Sequence, residues 1–324
     1  MITRRQAIVG AVSLVFAARA TAQSRTRRLG FIAISETLSR GPNQAFVAGL
    51  GELGYREGQN LVVERRYTEG RQDRLPALAK ELINLGVEVV VVGGEGPALA
   101  LKAAKSTLPV VMAWSFDPVG NGLAASLARP GGNVTGLTWD VGTEQVTKRL
   151  QLFKETVPSI SRIALIWDPT FLGVAAYWPH VNAASKALGI ETYSVEVRTQ
   201  SDVTAALEDV RKNRPSALFV WGGPATSARF KQITEFAIQE RLPAFAASTP
   251  EVDRGYLMAY SVNVLDLYRR AAGFVDRIFK GAKPGDLPIE QPTKFELVVN
   301  LKTARAIGLA IPPSILVRVD RVVE

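Results

Sequence analysis

The sequence predicts an α/β protein built as two doubly wound parallel-sheet lobes with a ligand cleft between them. Three observations carry this. Short β-rich runs alternate with amphipathic helical patterns, the mark of βαβ units and a parallel sheet. The alternation occurs twice, in the same order. The third strand of each half ends alike, with Val89–Val92 followed by Gly93-Gly94-Glu95-Gly96-Pro97, and Leu218–Trp221 followed by Gly222-Gly223-Pro224. In both, proline is expected at the first helical position, where its missing N–H is harmless.

In the first half the predicted strands are Leu29–Ser35, Asn60–Tyr67, Val87–Val92 and Pro109–Trp114. Between them Asn43–Leu53, Arg74–Leu85 and Pro97–Ser106 place apolar residues at helical spacing. Val87–Val92 is almost wholly apolar, as a strand covered on both faces should be. The second lobe opens with a helix over Thr143–Val157. Its strands are predicted at Arg162–Trp167, Ile190–Val197, Ala217–Trp221 and Pro243–Ala247, and its helices at Val174–Leu188, Asp202–Asn213 and Thr226–Glu240. After Ser248 the plan loosens. Tyr256–Ser261 and Thr293–Val299 read as extended, Leu265–Lys280 and Leu301–Ile307 as helices, and Ile315–Val319 as an apolar, β-rich run. Lobe one is expected over residues 23–140 plus about 262–290, and lobe two over 141–261 plus about 291–324.

Met1–Ala22 reads as a secretory signal peptide. Arg4 and Arg5 precede an uncharged run, Ala7–Ala18, and Ala20-Thr21-Ala22 is a small-x-small cleavage site. The net charge of +9 loses Arg4, Arg5 and Arg19 with it and falls to +6. No later stretch reaches the roughly eighteen apolar residues of a membrane span. The chain has no cysteine, which excludes disulfides, thiolate chemistry and a lipidated N-terminal cysteine. A free periplasmic protein, monomeric, is expected. The basic pairs Arg27-Arg28, Arg65-Arg66 and Arg269-Arg270 are scattered, so no nucleic-acid partner is expected. The single histidine, His180, rules out a multi-histidine metal centre, and its place in a helix points to a surface or packing role. No catalytic residue, metal or cofactor is expected.

In open α/β sheets ligands bind beyond the carboxyl ends of the strands. The residues there are Ser35, the loop Gly93–Pro97 with Gly94, Glu95 and Gly96, and Ser115 to Asp117 in lobe one. In lobe two they are Asp168 to Phe171, Trp221 with Gly222, and Ser248-Thr249. The glycine loop at a helix start favours an anion, whereas Glu95 would repel one and could pair with an ammonium. Trp114, Phe116, Trp139, Trp167, Phe171, Trp221 and Tyr260 fall at strand ends, where they can wall an aromatic ligand or simply pack a core. Asp117 and Asp168 each precede a proline; each can bind an amine, cap a helix or shape a turn.

Several longer segments carry a family resemblance: Gly49–Asn60 (GLGELGYREGQN), Asp73–Ala79 (DRLPALA), Asp117–Gly120 (DPVG), Leu127–Leu137 (LARPGGNVTGL), Gly281–Pro284 (GAKP) and Glu290–Ala304 (EQPTKFELVVNLKTA). In these the chain resembles the substrate-binding proteins of ABC transporters, in the group related to the tryptophan/tyrosine-binding component. The resemblance implies a type I periplasmic-binding fold, two lobes joined by three crossovers, and an inner-membrane ABC permease as partner. It implies a small carboxylate-bearing ligand, an aromatic or branched amino acid or an aromatic acid, held by the Gly93–Pro97 loop with the Asp117 and Asp168 loops in the cleft. The family loop usually has threonine where Glu95-Gly96 stands, and asparagine where Asp168 stands. A sensory module feeding a membrane sensor is the alternative to transport.

Overall fold

A computed structural model describes residues 26–139, 143–171, 174 and 177–324. The predicted signal peptide and the predicted lobe boundary at 140–141 lie outside the described residues. Two sheets form. The first has the order β2-β1-β3-β4-β5, from Arg27–Ala33 (β1), Leu61–Tyr67 (β2), Val89–Gly93 (β3), Val110–Trp114 (β4) and Val134–Gly136 (β5). All its pairs are parallel. The second begins with Arg162–Trp167 (β6), Glu191–Glu196 (β7), Ala217–Trp221 (β8), Ala244–Ala246 (β9) and Met258–Val262 (β10), in the order β7-β6-β8-β9-β10. That is the same permutation, so the repeat in the sequence is a repeat in topology. Phe295–Asn300 (β11) adds antiparallel to β10, and Arg321–Val323 (β12) pairs parallel to β11 at the edge.

The core follows from the apolar runs. Val89, Val90, Val91 and Val92 have essentially no exposed surface, because helices cover both faces of the sheet. The chain passes between the sheets after Trp139, again at Val262–Val264, and finally between Glu290 and Phe295. After the second passage the helix Val264–Phe279 packs on the helix Arg40–Glu52 of the first lobe. A Cβ on Gly49 would stand 2.6 Å from the Arg269 carbonyl, so glycine permits that close packing. Glu290 then bridges back to Leu137, with Thr138 N–H donating to the Glu290 carbonyl at 2.9 Å.

Several elements differ from the sequence prediction. β5 is a strand of three residues, too short to show alternation. Ile315–Val319 is not extended: Pro313–Leu316 is a short helix started by its proline, with Ile315 buried, and the strand follows at Arg321–Val323. The first glycine-loop helix is Glu95–Ala103, with Gly94 as its N-cap, so Pro97 is its third residue rather than its first. Pro224 does start its helix, but that helix ends at Ala228, and Phe230–Gln239 continues after a break at Arg229. The helix predicted from Val174 begins at Trp178.

Candidate functional site

The carboxyl ends of β1, β3, β4 and β6, β8, β9 face one another across the gap between the sheets. Two continuous chambers occupy it. The inner has a volume of about 100 Å³ and the outer about 340 Å³, and they share a wall that includes Trp114, Trp139 and Phe171. The lobes touch across the gap. Phe171 of the second lobe meets Trp114 and Phe116 of the first, with ring centroids 6.0 and 6.2 Å apart. Tyr177 bridges Phe116 and Trp221 at 5.7 and 5.0 Å. Two side chains also cross. Arg254 donates to the Leu38 carbonyl at 3.2 Å, and Gln200 Nε2 donates to the Glu69 carbonyl at 3.0 Å. Through these contacts the two lobes meet across the gap.

Of the sequence-predicted site residues, Trp139 and Phe171 line both chambers, and Trp221 and Gly222 line the inner one. Ser35, Gly94, Glu95, Gly96, Ser115, Asp117, Asp168 and Tyr260 do not line either chamber; they hold the wall in place. Ser35 Oγ accepts from Leu38 N–H at 3.2 Å and shapes the turn before the helix Arg40–Glu52. Ser115 is buried and donates to the Leu137 carbonyl at 3.1 Å. Asp117 is exposed, and its carboxylate accepts from Gly120 N–H at 2.7 Å, closing a turn. The Tyr260 ring stacks on Phe295 with centroids 5.7 Å apart.

The glycine loop is not an open anion cradle. The fully buried Glu95 carboxylate accepts from the N–H groups of Phe116 and Asp117, the latter at 2.8 Å. The chain thus fills this helix start with its own carboxyl group, and Pro97 supplies no N–H there. A Cβ on Gly93 would stand 2.5 Å from Tyr268 Oη, and one on Gly94 2.8 Å from the Trp114 ring. The glycines let the Trp114 indole and the Tyr268 hydroxyl lie against the backbone. Asp168 plays the matching part in lobe two. Its buried carboxylate accepts from Thr170 N–H at 2.9 Å and Thr170 Oγ1 at 2.6 Å, fixing the turn that carries Phe171. A Cβ on Gly223 would meet Asp168 Cβ at 2.7 Å. Gly96 leaves room for Gln72 and Leu75.

Two charged residues on the inner chamber were missed. Arg149 is buried, donates from Nε to the Tyr260 carbonyl at 2.9 Å, and lies over the Trp221 ring at 5.2 Å. Its signal was available: Val146, Arg149, Leu150 and Phe153 lie on one face of a helix, and an arginine on an otherwise apolar face calls for a partner. Glu251 lines both chambers and closes a capping box with Ser248, whose N–H donates to Glu251 Oε2 at 3.2 Å. That Ser-x-x-Glu spacing reads as an ordinary helix start, which hid it. His180 is exposed on its helix and lines neither chamber.

Burial pushes the carboxyl groups of Glu95, Asp168 and Glu251 above their ordinary values, against the opposing effect of their N–H donors. A folded pKa above the unfolded one means the native state holds the proton longer. Stability is therefore greatest below the unfolded value and is lost as pH rises through the raised one. Urea unfolding should show wild type losing stability as pH rises above the ordinary carboxylate range, with a shallower loss in Glu95→Gln. Parallel slopes for the two proteins would remove Glu95 from the account.

The family model described as ABC transporter substrate binding protein matches residues 36–323. A curated tyrosine-binding protein from Clostridioides difficile (strain R20291) is 21% identical over 266 residues, covering 82% of this chain and 76% of that protein. Among solved structures, a conserved domain protein from Vibrio cholerae superposes with a TM-score of 0.85 at 24% identity, over 92% of this chain and 100% of that one. The ABC domain from Streptococcus pneumonia in complex with L-Trp superposes with a TM-score of 0.84 at 24% identity, over 93% and 100%. At that identity the superpositions establish the fold, the two-lobed type I periplasmic-binding architecture.

Proposed function

Because the chain belongs to the ABC transporter substrate-binding proteins, we propose that it is the extracytoplasmic receptor of an importer, clamping a carboxylate-bearing amino acid or aromatic acid between its lobes. The observation that carries this is the inner chamber. It is walled by Trp114, Phe116, Trp139, Phe171 and Trp221, and it faces one buried cation, Arg149, and one buried carboxylate, Glu251. An aromatic wall with few convergent charged groups suits a small amphiphile whose charged head needs both an anion partner and a cation partner. Arg149 meets the ligand carboxylate, Glu251 meets an ammonium where one is present, and the rings pack the side chain.

Closure is the working step. The wall is assembled from both lobes, so ligand contacts of this kind exist only when the lobes meet. A ligand that binds the closed state better shifts the population toward it. Gln200 and Arg254 add ligand-independent bonds across the rim. The closed receptor then docks on its permease in the inner membrane. Among the described residues no helix is long and apolar enough to cross a membrane.

A thermal-shift panel tests the reading, with native mass spectrometry to find any co-purified ligand. Aromatic and branched amino acids and aromatic acids should raise Tm. A ligand at a hundred times its Kd stabilises by about 2.7 kcal/mol. A panel in which only sugars shift Tm would overturn the carboxylate argument.

A further inference from the structure

The proposed function accounts for the inner chamber and leaves the larger one unexplained. With a volume of about 340 Å³, the outer chamber is by itself within the range of about 300–1,000 Å³ that holds a whole small-molecule ligand. At the share of volume a water molecule takes in the liquid, it would hold about ten waters if an amino acid anchored inside stopped at the shared wall.

Its lining is mainly apolar but carries more polar side chains than the inner one, with Ser227 common to both. Ser39, Gln72 and Ser227 line it, half-buried, and among the described residues their side chains make no hydrogen bond within the chain. Each is held by the fold on a different element: Ser39 before the helix Arg40–Glu52, Gln72 before Leu75–Asn84, and Ser227 in Pro224–Ala228. Arg254 brings a cation to the same space. Asp253, which also reaches the chamber, is already paired with Arg321 at 2.6 Å. A hydrocarbon tail entering here would strip water from these groups and offer nothing back, at about 1–3 kcal/mol for each polar group left unsatisfied. A tail with its own hydrogen-bonding groups would replace that water.

Resting on the receptor reading above, we propose that the ligand is elongated: a charged head at Arg149 and Glu251, an apolar or aromatic middle against Trp114, Trp139 and Phe171, and a polar distal end in the outer chamber. In chemical class it is an aromatic amino acid or acid extended by a polar, preferably anionic, group, of dipeptide size. A lone proteinogenic amino acid then fills only part of the site.

Calorimetry on the full chain, freed of bound ligand, tests this. The probes are L-phenylalanine, L-tryptophan, and the serine and glutamate dipeptides of phenylalanine in both orders. At least one extended probe should bind about tenfold tighter than free phenylalanine and tryptophan. Ser39→Phe, which fills part of the outer chamber, should weaken that probe more than it weakens the free amino acids. Gln72→Leu should show the same differential by removing hydrogen bonds rather than space. Free amino acids binding as tightly as every extended probe would overturn the elongated ligand and leave the receptor reading standing. No binding by either class would overturn both.

Discussion

Arg149→Met should cost a carboxylate ligand about 2–4 kcal/mol of affinity, roughly 30- to 1,000-fold in Kd, while the protein stays folded. The guanidinium is buried, and the Tyr260 carbonyl fixes its Nε at 2.9 Å, so it cannot swing to solvent. It lies 5.2 Å over the Trp221 ring, which holds its plane against the chamber. A ligand carboxylate entering such a site loses its water, and only a fixed, low-dielectric cation returns comparable energy. Methionine keeps the aliphatic stem that packs beside Val146, Leu150 and Phe153, so the core is spared a cavity. The decisive comparison is a double-mutant cycle between this substitution and a ligand whose carboxylate is replaced by an amide. Charge pairing predicts strong coupling: once the carboxylate is gone, Arg149→Met should cost little more. Equal losses for the acid and the amide would mean that Arg149 acts by packing Trp221 and does not meet the carboxylate.

Such a cycle targets a residue that the strand-end rule passed over, and the reason shows what a sequence can disclose. The repeat was legible because it is written in local patterns: apolar runs of strand length, helical spacing, and the Gly-Gly punctuation after Val92 and Trp221. Those patterns fix the two sheets and therefore where a cleft must open. They also located Trp139, Phe171, Trp221 and Gly222 on its wall. Side-chain direction was not legible. Glu95 sits in the loop that faces the cleft, yet its carboxylate turns inward to two backbone N–H groups contributed by residues 116 and 117. Asp168 likewise turns to Thr170. The Glu95 bonds depend on how two loops pack, which no single-segment pattern encodes, whereas the Asp168 bonds close a local turn, one of the roles its place before a proline already allowed. Arg149 and Glu251 reach the chamber from positions that look like helix interior and helix cap. The short strand Val134–Gly136 exists because β4 offers an edge to pair with, a tertiary cause that three residues cannot announce.

Gly94→Ala should destabilise the protein by about 2–4 kcal/mol and open the shared wall of the cavity. Two causes combine. Gly94 caps the helix Glu95–Ala103 with φ 80° and ψ 176°, a region essentially confined to glycine and strained by about 1–3 kcal/mol for other residues. The added Cβ would also stand 2.8 Å from the ring of Trp114. That ring has little freedom to retreat: Phe116, Trp139 and Phe171 sit against it with centroids 5.5, 5.3 and 6.0 Å away. Gly58 gives a reference for positive φ without crowding. It has the same φ of +80° but no atom within 4 Å of its would-be Cβ. Gly58→Ala should therefore carry backbone strain alone, about 1 kcal/mol, with ligand affinity unchanged. Gly94→Ala should lower Tm by several degrees more and weaken binding about tenfold or beyond, because the displaced indole belongs to both chambers. Chemical denaturation and calorimetry on the two variants give the comparison directly. Equal stability losses with equal affinities would show that the indole yields freely, and that the glycine serves only the backbone turn.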